Sequence, residues 1–190
     1  MRNVLLYLLM LILLADCGNN PSTAVDNQDA TTTQPAAQES NGLPVFSETK
    51  DASGKVISSG YLLNEQKEST WIEYYESGVP KTLTTYYHGK KEGIAIDFTT
   101  NGSIAKRVNY HNDLREGDYR EYNYGNVHEE RTYVNGKIEG IVKIYYDNNL
   151  KVMEEGAYRN GVRDGVSKWY DQNGNVTIEY TYQNGELVKK

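Results

Sequence analysis

The residues able to do chemistry are few, and their placement narrows what they do. The single cysteine, Cys17, stands just behind an apolar run from Val4 to Leu14. As a thiolate it would be the chain's strongest nucleophile and acyl acceptor. His88 and His111 lie 23 residues apart and could meet across neighbouring copies of a repeat. Neither they nor His128 has a cysteine or carboxylate beside it at metal-ligand spacing, so all three read as polar strand-end residues. The acid pairs Glu129–Glu130 and Glu154–Glu155 are consecutive. In a strand their side chains point to opposite faces, which is wrong for a cooperating acid and base. No glycine-rich stretch ends in Lys-Ser or Lys-Thr, and Gly-x-Ser-x-Gly is absent. The chain therefore reads as non-enzymatic, with no catalytic residue, cofactor or metal.

The cysteine's setting gives it a different task. One arginine precedes the eleven-residue apolar run. That run is too short for a bilayer core, which needs about twenty residues, and it matches the apolar region of a secretory signal. A lone cysteine makes no intramolecular disulfide. Leu14, Ala15 and Cys17 resemble the lipobox of a bacterial lipoprotein signal; Asp16 departs from it, at a position where Gly, Ala or Ser is usual. The resemblance implies a diacylglycerol on the Cys17 thiol and a third acyl chain on the new amino terminus. Stable anchoring requires more than one chain. Gly18 rather than Asp follows the cysteine, which in the sorting pattern this resembles leans toward the outer membrane. The expected address is exported and membrane-anchored, at the outer membrane or periplasmic face. Residues 18–44 contain no aromatic residue, Lys or Arg and read as a disordered tether. A net charge of −6 without a basic stripe argues against nucleic acid.

Residues 45–190 must present whatever the mature protein offers, and they are periodic. Gly93, Gly117, Gly140 and Gly165 are spaced by 24, 23 and 25 residues, and Ser69 lies 24 before the first. Five residues after each comes an aromatic: Tyr74, Phe98, Tyr122, Tyr145, Tyr170. Seven residues before the glycines, and before Lys189, stand Tyr86, Tyr110, Tyr133, Tyr158 and Tyr182. One turn column runs Gly54, Gly78, Gly102, Gly125, Asn149, Gly174, and the other Glu65, Gly89, Asp113, Gly136, Gly161, Gly185. Gly and Asn tolerate positive φ, and Asn-Gly between β-prone runs signals a tight hairpin. The spacing predicts an all-β fold of about twelve strands in a single-layer, twisted antiparallel meander. Alternation along such strands is expected to bring both aromatic columns onto one face. Packing between repeats accounts for that column first. Tyr74, Phe98, Tyr122, Tyr145 and Tyr170 are also the candidate binding surface.

The unit Tyr-x-Asn-Gly-x-x-x-Gly-x-x-x-x-Tyr, with a trailing Asn-Gly, resembles the MORN repeat in its bacterial variant of 24 residues. Tyr133, Gly136, Gly140 and Tyr145 carry it best, with Tyr158, Gly161, Gly165 and Tyr170; Tyr86, Gly89, Gly93 and Phe98 come next. The copies with Asp113 and with Glu65 and Ser69 are degenerate. The resemblance implies an elongated scaffold, a lipid-proximal module or a partner-binding surface. The expected function is a lipid-anchored, protein-binding or scaffold module of the cell envelope. The alternatives are an antitoxin-like or immunity-like protein that neutralises a toxin, and a cell-wall glycan binder that stacks sugars on its tyrosines. Wall-binding repeats usually carry Trp in every unit, whereas here only Trp71 and Trp169 occur. The partner's identity, the oligomeric state and the processing of Cys17 behind Asp16 are left open by the sequence.

Overall fold

The computed structural model describes residues 42–189. The lipoprotein signal expected at 1–17 and nearly all of the tether expected at 18–44 lie outside the described residues. The strands are β1 (Val45–Lys50), β2 (Val56–Leu63), β3 (Gln66–Tyr74), β4 (Pro80–Tyr87), β5 (Lys90–Phe98), β6 (Ile104–His111) and β7 (Leu114–Asn123). They continue as β8 (Asn126–Val134), β9 (Lys137–Tyr145), β10 (Val152–Arg159), β11 (Val162–Tyr170), β12 (Val176–Gln183) and β13 (Glu186–Lys189). All thirteen form one sheet in sequential order. Every neighbouring pair is antiparallel. The count is one above the expected twelve. Val45 lies 24 residues before Ser69, so β1 is the later part of one more odd-numbered strand, from the repeat position onward.

Each unit is a glycine strand (odd-numbered) and a tyrosine strand (even-numbered), joined by two kinds of turn. At Asn64–Glu65, His88–Gly89, Asn112–Asp113, Asn135–Gly136, Asn160–Gly161 and Asn184–Gly185 both residues have positive φ. That is the type I′ geometry, whose twist matches the strands it joins. The other turns, ending at Gly54, Gly78, Gly102 and Gly174, place one glycine at positive φ after a tight turn closed by hydrogen bonds such as Gly78 N to Tyr75 O at 2.8 Å.

Two of these turns differ in length, which explains the irregular spacings. Tyr124–Gly125 is a two-residue turn between Asn123 and Asn126, in the 23-residue unit. In the 25-residue unit the loop from Tyr146 to Lys151 holds one more residue, and positive φ falls on Leu150 rather than on the expected Asn149.

The repeat glycine sits within a strand, not at a turn. Ser69, Gly93, Gly117, Gly140 and Gly165 all have positive φ, from 60° to 119°. At each one the register jumps: Thr84 pairs with Ala95 but Tyr86 with Lys91, so three residues of β5 face one of β4. This is a β-bulge, which bends the strand and increases its twist. On the other side the pairing runs unbroken past the glycine and shifts only near the strand end, and each repeat position pairs with the next unit's tyrosine, as Gly117 does with Tyr133.

Among the described residues no helix or second sheet covers either face. Burial instead comes from neighbouring repeats. Ala95, Val108, Tyr119 and Tyr133 form the core, with Tyr110 and Ile138 packed against it. Tyr119 and Tyr133 meet edge to face at 5.7 Å. Such a pair contributes roughly 0.5–1.5 kcal/mol beyond its buried area.

Candidate functional site

The hairpin turns are tied together before any side chain is presented. A carboxylate one residue before four of the five repeat positions reaches the next turn. Glu68 accepts from His88 N at 2.8 Å, Glu92 from Asn112 N at 2.9 Å, Glu116 from Asn135 N at 2.7 Å and Glu139 from Asn160 N at 2.9 Å. Beside them, the second turn residue donates to the carbonyl two before the glycine, as Gly136 N does to Arg115 O at 2.9 Å. The Asn112 N–H, followed by His111, holds the Glu92 carboxyl below its ordinary range. That contribution is present above the ordinary carboxylate pKa and is lost as pH falls through the lowered value.

Two faces follow from this frame. On the first, the residue two before each repeat glycine is Lys67, Lys91, Arg115, Ile138 or Arg163. The four cations lie over rings. Lys67 Nζ is 4.7 Å from the centre of Trp71 and 5.0 Å from Tyr86, and Lys91 Nζ is 5.1 Å from Tyr110. The Arg115 guanidinium is 5.3 Å from Tyr133 and donates to that phenol at 3.0 Å. Arg163 lies between Tyr158, Trp169 and Tyr182. A cation over a ring is stabilised by the ring's quadrupole. Sequence reading missed this column, although its signal was the same 24-residue recurrence.

The second face carries Tyr74, Phe98, Tyr122, Tyr145 and Tyr170, all half-buried. The expectation that they share a face with Tyr86, Tyr110, Tyr133, Tyr158 and Tyr182 is corrected. Tyr110 pairs with Gly93, five residues and an odd number of alternations from Phe98, so the two columns lie on opposite sides. Three hydroxyls of the first-named column have partners on that second face. Tyr74 bonds Ser59 at 3.1 Å, Tyr145 donates to Glu130 at 2.7 Å and Tyr170 donates to Glu155. Toward the Asn-Gly turns the same face exposes an aliphatic band: Ile94, Leu114, Val134, Ile141, Val162 and Val166. A shallow hollow beside it is lined by Asp118, Arg120, Glu130, Ile141 and Lys143.

These hydroxyl contacts have a pH signature. Burial, then the Glu130 carboxylate, pushes the Tyr145 phenol up to about 12. The Glu155 hydrogen bond, then burial, does the same to Tyr170, also to about 12. The raised value favours the neutral phenol. Its contribution to stability is therefore complete below the ordinary phenol pKa of about 10 and is lost as pH rises through the shifted value. In an alkaline absorbance titration Tyr145 and Tyr170 are expected to ionise above the ordinary phenol range, and Tyr119, which burial and Glu121 push higher still, after them. Glu130→Gln and Glu155→Gln should each move one phenol back toward its ordinary value; unchanged curves would contradict the assignment.

The histidines do not meet. His88 faces Glu68 at 3.7 Å, His111 faces Glu92 at 2.8 Å and His128 faces Asp147 at 3.1 Å. Each pair joins residues 19 or 20 apart that neighbouring hairpins bring together, so local spacing did not reveal it. Among the described residues no three His, Cys, Asp or Glu side chains converge. Cys17 lies outside the described residues.

Three stretches match the family model described as "MORN repeat variant": residues 67–86, 91–112 and 163–184. Each begins at a cation two residues before the repeat position. The first unit, read from sequence as degenerate, is matched, whereas the copy around Gly140, read as the best, is not. The two copies without a match are those whose turns differ in length, at Tyr124–Gly125 and at Tyr146–Lys151. No curated protein matches the chain. Among solved structures, S. aureus TarM as a G117R mutant with Fondaparinux, alpha-GlcNAc-glycerol and UDP is 16% identical over 57% of this chain, with a TM-score of 0.37. A second crystal structure of TarM gives 16% identity over 57% of this chain and a TM-score of 0.36. The chain spans about a fifth of those proteins, 21% of each.

Proposed function

We propose that this chain, three of whose repeats match the MORN repeat variant, is a non-enzymatic protein-binding module, exported and held at the bacterial outer membrane by acylated Cys17. The observation that carries the reading is the aliphatic band on the second face. Ile94, Leu114, Val134, Ile141, Val162 and Val166 are each 38–51% exposed on a single-layer sheet. Exposed apolar side chains gathered on one face in this way support an interaction surface. Tyr74, Phe98, Tyr122, Tyr145 and Tyr170 form its aromatic margin, and the rings of Tyr74, Tyr145 and Tyr170, anchored by their hydroxyls, lose little freedom when a partner docks. The Leu-Ala-Asp-Cys sequence at 14–17 supports the anchor, and the polar stretch at 18–44 supports a tether that lets the sheet reach a partner.

Cross-linking in intact cells followed by capture tests both parts. The wild-type chain is expected in the membrane fraction, linked to one specific protein. Ile141→Glu with Val166→Glu places two charges in the band and should abolish the cross-link while leaving the membrane fraction unchanged. Cys17→Ser should move the chain to the soluble fraction. A cross-link that survives the double change would remove the band as the docking surface, and a membrane-bound Cys17→Ser would remove the lipid anchor.

A further inference from the structure

We infer that the cation column of the first face binds an acidic, proline-rich peptide in the polyproline II conformation, one carboxylate to each repeat. This deepens the reading of the chain as a partner-binding module and rests on it. It uses the face opposite the aliphatic band.

The column is a built feature. Lys67, Lys91 and Arg115 stand at one position of three successive units, on β3, β5 and β7. Among the described residues none of the three is in an ion pair, whereas Arg131 and Arg163 on the same face are neutralised by Glu129 and Glu154. Three uncompensated cations in a row stand out in a chain of net charge −6. Rings hold them in place: Trp71 and Tyr86 under Lys67, Tyr110 under Lys91, Tyr119 and Tyr133 under Arg115. A side chain already fixed by its ring loses less entropy when an anion arrives.

The spacing selects the ligand's conformation. Cations on alternate strands are about 9.6 Å apart, two strand spacings of about 4.8 Å. A polyproline II helix returns to the same side every three residues, about 9.3 Å, so carboxylates at i, i+3 and i+6 meet all three cations. An extended strand repeats every two residues, about 6.7 Å, which does not match, and an α-helix comes near only at every second turn, about 10.8 Å, with carboxylates about seven residues apart. The half-buried rings of Tyr86 and Tyr110, over which Lys67 and Lys91 lie, border the column, and proline packs against aromatic rings in other polyproline II sites. The column ends at Ile138, so the site takes three charges and no more. Further along the strands Glu73, Asp97 and Glu121 form an acidic margin, with Asp97 held by Lys106 and Glu121 accepting from Tyr119. That margin repels a peptide that strays from the column.

Fluorescence anisotropy of the full-length protein with a labelled peptide of four Glu-Pro-Pro repeats tests the inference. Binding is expected, weakening as salt rises. A Gln-Pro-Pro peptide, and a Glu-Pro peptide with carboxylates every second residue, should each bind at least about tenfold more weakly. Lys67→Gln with Lys91→Gln should lose a similar factor, with circular dichroism showing the sheet intact. Absence of binding, equal binding of the Glu-Pro peptide, or wild-type affinity in the double variant would overturn the proposal. Binding to vesicles of anionic phospholipid without binding to the peptide would overturn it in favour of a membrane surface. None of these failures touches the aliphatic band, whose loss is read by the cross-link.

Discussion

Gly60→Ala is expected to cost about 3 kcal/mol, with the damage confined to the first three strands. A Cβ at position 60 would lie 2.5–2.6 Å from three ring atoms of Trp71, and backbone φ is not the obstacle, because Gly60 is not among the positive-φ residues. Trp71 has little room to yield. It is 6% exposed, donates its indole N–H to Tyr61 O at 2.8 Å and carries Lys67 over its face. Overpacking a site of this kind costs about 1–3 kcal/mol, and displacing the indole adds a lost hydrogen bond of about 1 kcal/mol. Repeat proteins lose stability locally, because each unit contacts only its neighbours. Hydrogen exchange should therefore accelerate over β1–β3 and stay slow over β7–β11. Trp71 fluorescence should shift to the red in a Trp169→Phe background, where it is the sole indole. An unchanged spectrum together with unchanged exchange would mean that the indole does not pack on Gly60.

How much of this was legible beforehand depends on what a one-letter pattern encodes. Turn positions were readable because type I′ geometry demands positive φ and Asn-Gly supplies it. Even Glu65 and Asp113, poor residues for the task, adopt φ of 64° and 67° because the neighbouring hairpins impose the register. Asn149 was misplaced by one residue, since the longer loop after Tyr146 moves the left-handed position to Leu150. The faces were misassigned for a different reason. Both aromatic columns recur every 24 residues or so, and recurrence alone does not say which side of a strand a column occupies. The carboxylate staples and the cation column were equally periodic in sequence, as Glu68, Glu92, Glu116 and Glu139, and as Lys67, Lys91 and Arg115. They were passed over because solvated charges are the ordinary content of hairpins. Only the contacts across to the next turn, and over the rings, give them a role.

The bulge invites a paired test. Gly140→Val is expected to destabilise the protein by about 2–3 kcal/mol, because a β-branched residue resists positive φ. Gly140 has φ of 85°, and a Cβ there would meet nothing within 4 Å, so the loss would be conformational rather than steric. The reciprocal site is Ser69, the one non-glycine among the five left-handed repeat positions, held at φ of 60°. Ser69→Gly relieves that strain, offset in part by the greater freedom of glycine in the unfolded chain, for a net gain of about 0.5 kcal/mol. Chemical denaturation of the two variants should move the midpoint in opposite directions. Both carry the same requirement: a three-against-one bulge that each unit repeats, and that each unit can form only with a left-handed residue. If Gly140→Val were neutral, the strand could bend without that residue. The 24-residue spacing of glycines would then need another cause.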